Sequence, residues 1–250
     1  MIDCHTHLEQ KAYDLDRDEV ILRSENAGLK AIVTCCAHPD DIDVTIKMLE
    51  KYPNFIFATA SIHPEYIERM NDEWWSRILA LLKNPSVIGV GETGLDFKAV
   101  ETEELRNRQV ELFKRFIDIA EELSKPLVIH ARGAFKETID VLESNRAKRV
   151  AMHFFSAVDQ LNRVINNNWY IMVNTTVYRS NNMKKIARDM PIERILLETD
   201  APWLGLEGRR NEPIAIKEVA EKIAEVKKCS FPDVWDRCGK NAAQFFELVI

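Results

Sequence analysis

Histidine and acidic residues are concentrated in a few short segments that also carry β-branched residues. Asp3, His5 and His7 alternate along the first of these segments, so a strand there would point all three side chains to one face. A His-x-His pair at the end of a strand can hold a metal ion. Two such histidines can equally be polar residues with ordinary hydrogen bonds, so the pair indicates a metal site only if further ligands lie nearby.

Further candidate ligands stand at or just after the ends of other predicted strands. Imidazole and carboxylate without thiolate suit Zn, Mn, Ni or Fe, and carboxylate-rich positions also admit Mg. Burying so many of these groups in one place without a cation would leave unpaired charges and donors at a cost of several kcal/mol. The further candidates are Glu92 and Asp96 after the fourth strand, His130 and His153 at the fifth and sixth, and Glu198 and Asp200 at the eighth.

Six of these candidates, the four histidines with Glu92 and Asp200, are the ligands we expect. Six ligands are too many for one tetrahedral ion that also keeps an open catalytic position. We therefore expect two divalent ions per chain, of which Zn, Mg, Mn and Ni are candidates, with a carboxylate between them. The expected ligands are His5, His7 and Asp200 for one ion and His130 and His153 for the other, with Glu92 between them.

The elements that must position these residues alternate between short β-branched runs and longer stretches of helical periodicity. Such alternation predicts βα units and a parallel sheet. The eight predicted strands are Ile2 to His7, Ala31 to Cys36, Phe55 to Ile62, Val87 to Gly91, Leu127 to Ala131, Arg149 to Phe154, Tyr170 to Thr175 and Ile195 to Thr199.

Eight units in 250 residues leave about 31 residues for each, which favours a (β/α)8 TIM barrel. All strand ends that carry candidate ligands would then open on one face, where active sites of this fold lie. The stretch from Ser230 to Leu248 predicts an extra C-terminal helix, and we expect residues 1–250 to form a single domain. An open doubly wound sheet is less favoured because no G-x-G-x-x-G follows the first strand.

The composition limits the class of protein further. Forty acidic against 34 basic residues give a net charge of -6, so any contact with nucleic acid must be local. Five cysteines without a C-x-x-C pair indicate neither a disulfide framework nor a thiolate zinc site. The start of the chain has no signal-like pattern and no apolar run is long enough to span a bilayer, so we expect a cytoplasmic protein without membrane contact.

These segments together resemble a known family, the TatD-family metal-dependent hydrolases, often called TatD deoxyribonucleases. The resemblance runs from residue 3 to the Asn241-Ala242-Ala243-Gln244-Phe245-Phe246 segment. The matching segments are, in order, Asp3-Cys4-His5-Thr6-His7, Ile62-His63-Pro64, Gly91-Glu92-Thr93-Gly94-Leu95-Asp96, His130-Ala131-Arg132, His153-Phe154-Phe155, Glu198-Thr199-Asp200-Ala201-Pro202-Trp203-Leu204 and Arg210-Asn211-Glu212-Pro213.

The resemblance implies a barrel of the amidohydrolase type, a bridging glutamate at Glu92 and metal-dependent hydrolysis, with 3′ to 5′ exonuclease action on DNA reported for several members. The chain departs from the family after His153, where Ser156 is followed by Ala157 instead of Gly, and the segment after Asp96 is short.

The expected partner is DNA, at single-stranded 3′ ends. The resemblance implies that His63 contacts the substrate phosphate or leaving group, although a structural role is the alternative. Arg132 could bind a phosphate oxygen through its guanidinium or pair with a neighbouring carboxylate. Trp74 and Trp75 predict helix packing, with base stacking by an exposed ring as the alternative. Asp96, Arg210 and Asn211 complete the set of expected substrate contacts.

We expect two-metal-assisted hydrolysis of a phosphodiester, in which Glu92 spaces the ions and Asp200 orients the attacking water or takes its proton. The same site could attack a carbonyl, such as a D-aminoacyl-tRNA ester or a small amide, so the residues leave this alternative open. A degenerate barrel that merely holds metal for stability is the alternative outside enzymes, and the complete ligand set argues against it.

Overall fold

The computed structural model describes residues 1–249 and contains eight parallel strands whose order in the sheet is their order in the chain. The sequence-based prediction of a (β/α)8 barrel is confirmed, and the observed strands agree with the predicted ones within a few residues except at β4, which is longer. The strands are β1 Ile2–Thr6, β2 Ala31–Cys36, β3 Ile56–Ala60, β4 Val87–Asp96, β5 Leu127–Arg132, β6 Val150–Met152, β7 Tyr170–Val173 and β8 Ile195–Leu197.

A helix follows every strand, and one further helix ends the described chain. That helix, α9 (Phe231–Phe246), confirms the predicted extra C-terminal helix and begins with a capping box in which Ser230 and Asp233 bond each other's backbone. The other helices are α1 Arg17–Asn26, α2 Ile42–Lys51, α3 Asp72–Leu82, α4 Glu103–Glu122, α5 Phe135–Ser144, α6 Leu161–Asn166, α7 Asn181–Asp189 and α8 Ile216–Lys227.

Two buried apolar clusters fill the molecule. Along β6 to β8, alternate residues belong to different clusters: Ile171 packs in the large cluster with the surrounding helices, whereas Met172 packs in a smaller one. Because neighbouring strand residues point to opposite faces, the smaller cluster occupies the barrel interior. Phe245 and Phe246 of α9 belong to it, so α9 closes the amino-terminal end of the barrel.

The opposite end, where the carboxyl ends of the strands open, is called the mouth below. There β1 meets the segment after β8 through backbone bonds from Asp200 N to His5 O at 3.0 Å and from His7 N to Ala201 O at 2.7 Å. The buried carboxylate of Asp3 reinforces this seam by accepting from the backbone N–H and the hydroxyl of Thr199. Candidate ligands therefore also close the barrel.

Register shifts interrupt β1 and β4 near the mouth. Asp3 pairs with Ile32 but Thr6 pairs with Thr34, so β1 carries one extra residue between these positions. The expectation that Asp3 shares a face with His5 and His7 is therefore wrong: an extra residue reverses the alternation, and Asp3 turns to the seam instead. A similar shift between β4 and β5 lies between Val90 and Thr93.

No helix among residues 1–249 is long and apolar enough to cross a membrane.

Gly94 is required by a close approach between β4 and β5. Its φ is +143°, and a Cβ atom there would overlap the carbonyl oxygen of His130. Gly28, after α1, also has a positive φ of +92°, but a Cβ atom there would have no neighbour within 4 Å. An added Cβ atom would therefore meet both an unfavourable backbone conformation and a steric overlap at Gly94, but only the unfavourable conformation at Gly28.

We expect Gly94→Ala to lower the free energy of unfolding by roughly 2 to 5 kcal/mol, because both costs apply. The control Gly28→Ala should lower it by only about 1 to 2 kcal/mol, because only the conformational cost applies. Denaturant unfolding of both variants measures the difference. Equal losses would show that β4 and β5 can separate without penalty.

Candidate metal centre

The structure brings all six expected ligands together at the mouth. His5 lies in β1 and His7 directly after it, His130 lies in β5, and His153 directly follows β6. Five of the six are buried and His130 is half-buried. The expectation that Glu92 and Asp96 follow the fourth strand is wrong, because β4 continues through both residues and pairs with β5 as far as Asp96 and Arg132. The six ligand candidates are His5, His7, Glu92, His130, His153 and Asp200.

One group of donor atoms surrounds a single point beside β1. The Nε2 atoms of His5 and His7 are 3.1 Å apart. Oε2 of Glu92 lies 3.7 and 3.8 Å from these two nitrogens, and Oδ1 of Asp200 lies 3.7 Å from both. We call these four residues the first cluster. Four ligand atoms around a tetrahedral ion with bonds near 2.1 Å are about 3.4 Å apart, so the spacing fits one divalent ion.

A second group surrounds the other oxygen of the same carboxylate. Oε1 of Glu92 lies 2.7 Å from His130 Nδ1, 3.5 Å from His153 Nε2 and 3.7 Å from His63 Nε2. We call Glu92, His130, His153 and His63 the second cluster. The structure thus places His63, an expected substrate contact, among potential ligands, and Glu92 directs one oxygen to each cluster.

Three of the histidines are oriented by carboxylates behind them. His7 Nδ1 lies 2.9 Å from Glu9 Oε1, and His153 Nδ1 lies 2.7 Å from Glu198 Oε2. His130 Nε2 lies 3.1 Å from Asp96 Oδ2. A carboxylate on the far nitrogen fixes ring orientation and makes the near nitrogen a better ligand. Asp96, expected among substrate contacts, contacts the candidate ligand His130, and its substrate-binding role stays a prediction.

Sequence reasoning did not single out Glu9, and it placed Glu198 among the candidate ligands without assigning it to either ion. Glu9 follows His7 at a spacing of two, which continues the His5 to His7 alternation, and it is buried with its second oxygen bound to Thr34. Glu198 accepts from the Phe154 backbone N–H and from Asn174 as well as contacting His153. The alternation could have indicated Glu9. The contact of Glu198 with His153 joins residues far apart in the chain, so no local pattern indicates it.

Carboxylates beside His7 and His153 favour positive charge on these two imidazoles. Burial by itself would lower the pKa values of these imidazoles, but Glu9 raises the pKa of His7 to about 9, and Glu198 with Glu92 raises that of His153 to about 10. Burial raises the pKa of Asp200 to about 7. Burial by itself would also raise the pKa of Glu92, but the neighbouring His153, His63 and His130 hold that pKa well below its usual value. A divalent cation would satisfy the same carboxylates once the histidines are neutral.

The remaining expected substrate contacts differ in whether their side chains are already bound to other residues of the chain. The Arg132 side chain is 67% exposed, and its nearest carboxylate oxygen, on Asp96, is 3.9 Å away. Arg210 pairs with Asp16 at 2.6 Å and Glu212 at 3.0 Å. Asn211 is buried and donates to the carbonyl oxygen of Thr199. Arg132 is thus available to a ligand, whereas Arg210 and Asn211 are engaged by the chain itself, and their substrate-binding role stays a prediction.

Comparisons with known proteins identify the family of this chain. The family model described as TatD related DNase matches residues 2–247. An uncharacterised metal-dependent hydrolase of Methanocaldococcus jannaschii is 32% identical over 98% of this chain and 96% of its own. A 3′-5′ ssDNA/RNA exonuclease TatD of Edwardsiella piscicida is 28% identical over 99% of this chain and 100% of its own.

A solved structure shows the same fold. The crystal structure of the TatD homologue YJJV from Escherichia coli superimposes with a TM-score of 0.91 at 22% identity, covering 100% of this chain and 98% of that one. The family match spans nearly the whole barrel, including every residue of both clusters. This chain therefore belongs to the TatD-related DNase family.

Proposed function

We propose that the protein is a divalent-metal-dependent nuclease that removes nucleotides from the 3′ ends of single-stranded DNA. The observation that carries the proposal is the carboxylate of Glu92, which directs one oxygen to the first cluster and the other to the second. Membership of the TatD-related DNase family and the name of the Edwardsiella relative, a 3′-5′ ssDNA/RNA exonuclease, support this substrate class.

The proposal assigns two ions to the two clusters. His5, His7 and Asp200 would hold one ion, and His130 and His153 the other, with Glu92 shared. The position of His63 in the second cluster supports a role beside that ion, where it could also contact the phosphate. Two divalent ions would supply Lewis acidity toward the phosphoryl group and a lowered pKa for the attacking water.

Asp200 is the residue we assign to the proton of the attacking water. Its Oδ1 atom faces the first cluster, and its backbone is fixed by the bond from its N–H to His5 O at 3.0 Å. A carboxylate in this position can orient the attacking water or take its proton. Arg132, exposed beside the second cluster, would bind a phosphate oxygen with its guanidinium.

Arg210 and Asn211 would serve substrate binding by fixing the loop after β8, and Asp96 by orienting His130. All five cysteines are free thiols, four of them buried, which supports the expectation of a cytoplasmic location.

Replacing Glu92 by glutamine tests the shared carboxylate. The amide keeps the shape of the side chain but loses the charge that both clusters use, so Glu92→Gln should bind less metal and lose activity by several orders of magnitude. Elemental analysis, turnover of single-stranded DNA and circular dichroism measure metal content, activity and folding. Two ions per chain with near-normal turnover would remove Glu92 from the mechanism.

Replacing Asp200 by asparagine separates proton transfer from ligation. Asparagine keeps an oxygen toward the first cluster but cannot take a proton, so the rate should fall more than the metal content does. The comparison requires turnover and elemental analysis of the same preparation. Parallel losses of rate and metal would show that Asp200 acts mainly as a ligand.

The exonuclease assignment predicts few phosphate contacts and dependence on a free end. With two to four phosphates neutralised, the slope of log affinity against log salt on single-stranded DNA should be about -1.4 to -2.8. Binding is measured with the Asp200→Asn variant over a series of salt concentrations. Digestion is measured with linear and circular single-stranded DNA of the same sequence, and the linear DNA carries a 3′ label. Circular single-stranded DNA should resist digestion.

Two results would contradict this prediction. Rapid cutting of circles or a much steeper slope would indicate an extended groove for internal cleavage. Hydrolysis of a D-aminoacyl-tRNA or of a small amide by the metal-reconstituted protein, with no turnover of DNA, would show that the site attacks carbonyl carbon instead of phosphorus.

A further inference from the structure

Trp203 is a large aromatic side chain left partly uncovered beside the first cluster. It is 47% exposed, and its ring lies 4.7 Å from that of His7, centroid to centroid, at an interplanar angle of 70°. The edge-to-face contact occupies only part of the indole. A half-exposed indole is costly to leave in water, because aromatic side chains carry a large apolar area.

The loop that carries Trp203 is held at both sides. Ala201 accepts from the backbone N–H of His7 and from the Thr6 hydroxyl, and the N–H of Trp203 donates to Asp200 O at 3.0 Å. Asn211 N donates to Pro202 O at 3.0 Å. The ring is therefore presented by a fixed backbone next to the candidate metal centre, and little ordering would be needed to use it.

The two tryptophans singled out from the sequence, Trp74 and Trp75, both pack against other side chains. Trp74 packs edge to face against His38, with the Arg69 guanidinium 5.2 Å from its ring. Trp75 packs on Phe116, with the Arg115 guanidinium 3.6 Å from its ring. The packing interpretation of both residues agrees with these contacts. Trp203 is left as the tryptophan exposed at the mouth among the described residues.

We propose that Trp203 is a stacking platform for the nucleobase of the nucleotide whose phosphate lies at the metal centre. Every base has an aromatic face, so such a platform recognises nucleotides without selecting sequence. Binding through the base also suits a protein with a net charge of -6, because a net negative charge does not favour binding along the phosphate backbone. This inference rests on the proposed nuclease function and names the part of the substrate that the clusters do not hold.

The rival account is that Trp203 merely shields His7 from water. Shielding would affect metal content and every ligand equally, whereas stacking affects only ligands that carry a base. Two small ligands that differ in the base alone separate the two accounts: thymidine 5′-monophosphate and 2-deoxyribose 5-phosphate.

The experiment measures binding of both ligands to the metal-reconstituted protein by calorimetry. Wild type should bind the thymidine nucleotide more tightly than the sugar phosphate. Trp203→Ala should weaken nucleotide binding by about 5- to 150-fold, with metal content and sugar phosphate binding unchanged. Trp203→Phe should restore part of the preference. The control is Trp235→Ala, which removes a partly buried indole from α9, the helix that closes the opposite end of the barrel.

The outcomes separate this inference from the nuclease proposal. If wild type binds both ligands equally or binds neither, or if Trp203→Ala weakens both ligands alike, the platform is overturned. If DNA is not hydrolysed but the base-dependent binding through Trp203 persists, the nuclease proposal fails and the platform stands. If DNA is hydrolysed and Trp203→Ala leaves the nucleotide preference intact, the nuclease stands and the platform fails.

Discussion

The position of one carboxylate, that of Glu92, organises the mouth of this barrel. Its two oxygens face different groups of imidazoles, and the carboxylate is buried with them. Several ionisable groups buried so close together must balance one another's charge, since uncompensated buried charge is expensive. The proposed two-ion function is the simplest way to satisfy both groups at once, because a shared carboxylate neutralises and spaces two cations.

The contacts that orient the candidate ligands also hold the barrel together. Asp200 bonds the backbone of His5 across the seam between β1 and β8, and Asp3 fixes Thr199 beside it. Glu198 likewise joins the segment after β6 to the segment after β7 through Phe154 and Asn174. A site built on such contacts is rigid, because displacing a ligand would break bonds that close the sheet. This rigidity is what preorganised catalysis requires.

The rim of the mouth divides into engaged and available side chains. Arg210 is bound to Asp16 and Glu212, and its guanidinium also lies over the Tyr13 ring at 4.7 Å, so it stabilises the loop after β8. Arg132 is exposed near Asp96, and Trp203 is exposed beside His7 of the first cluster. In the proposed function, Arg132 would offer a charge for a phosphate and Trp203 a flat apolar surface for a base. This pair of side chains is the basis on which we propose binding of a strand end and not of a long stretch of backbone.

The sequence by itself determined the barrel, the extra helix and the six candidate ligands, because hydrophobic periodicity marks the elements and a parallel barrel brings all strand ends to one face. The tertiary structure decided what depends on register and on contacts between distant strands. An extra residue in β1 turns Asp3 from the face of His5 and His7 to the seam with the segment after β8, and β4 pairs with β5 beyond Glu92 as far as Asp96. The contact of His63 with Glu92 and that of Glu198 with His153 arise only when separate strands close the barrel, since periodicity reports the face a side chain takes and not the partner it meets there.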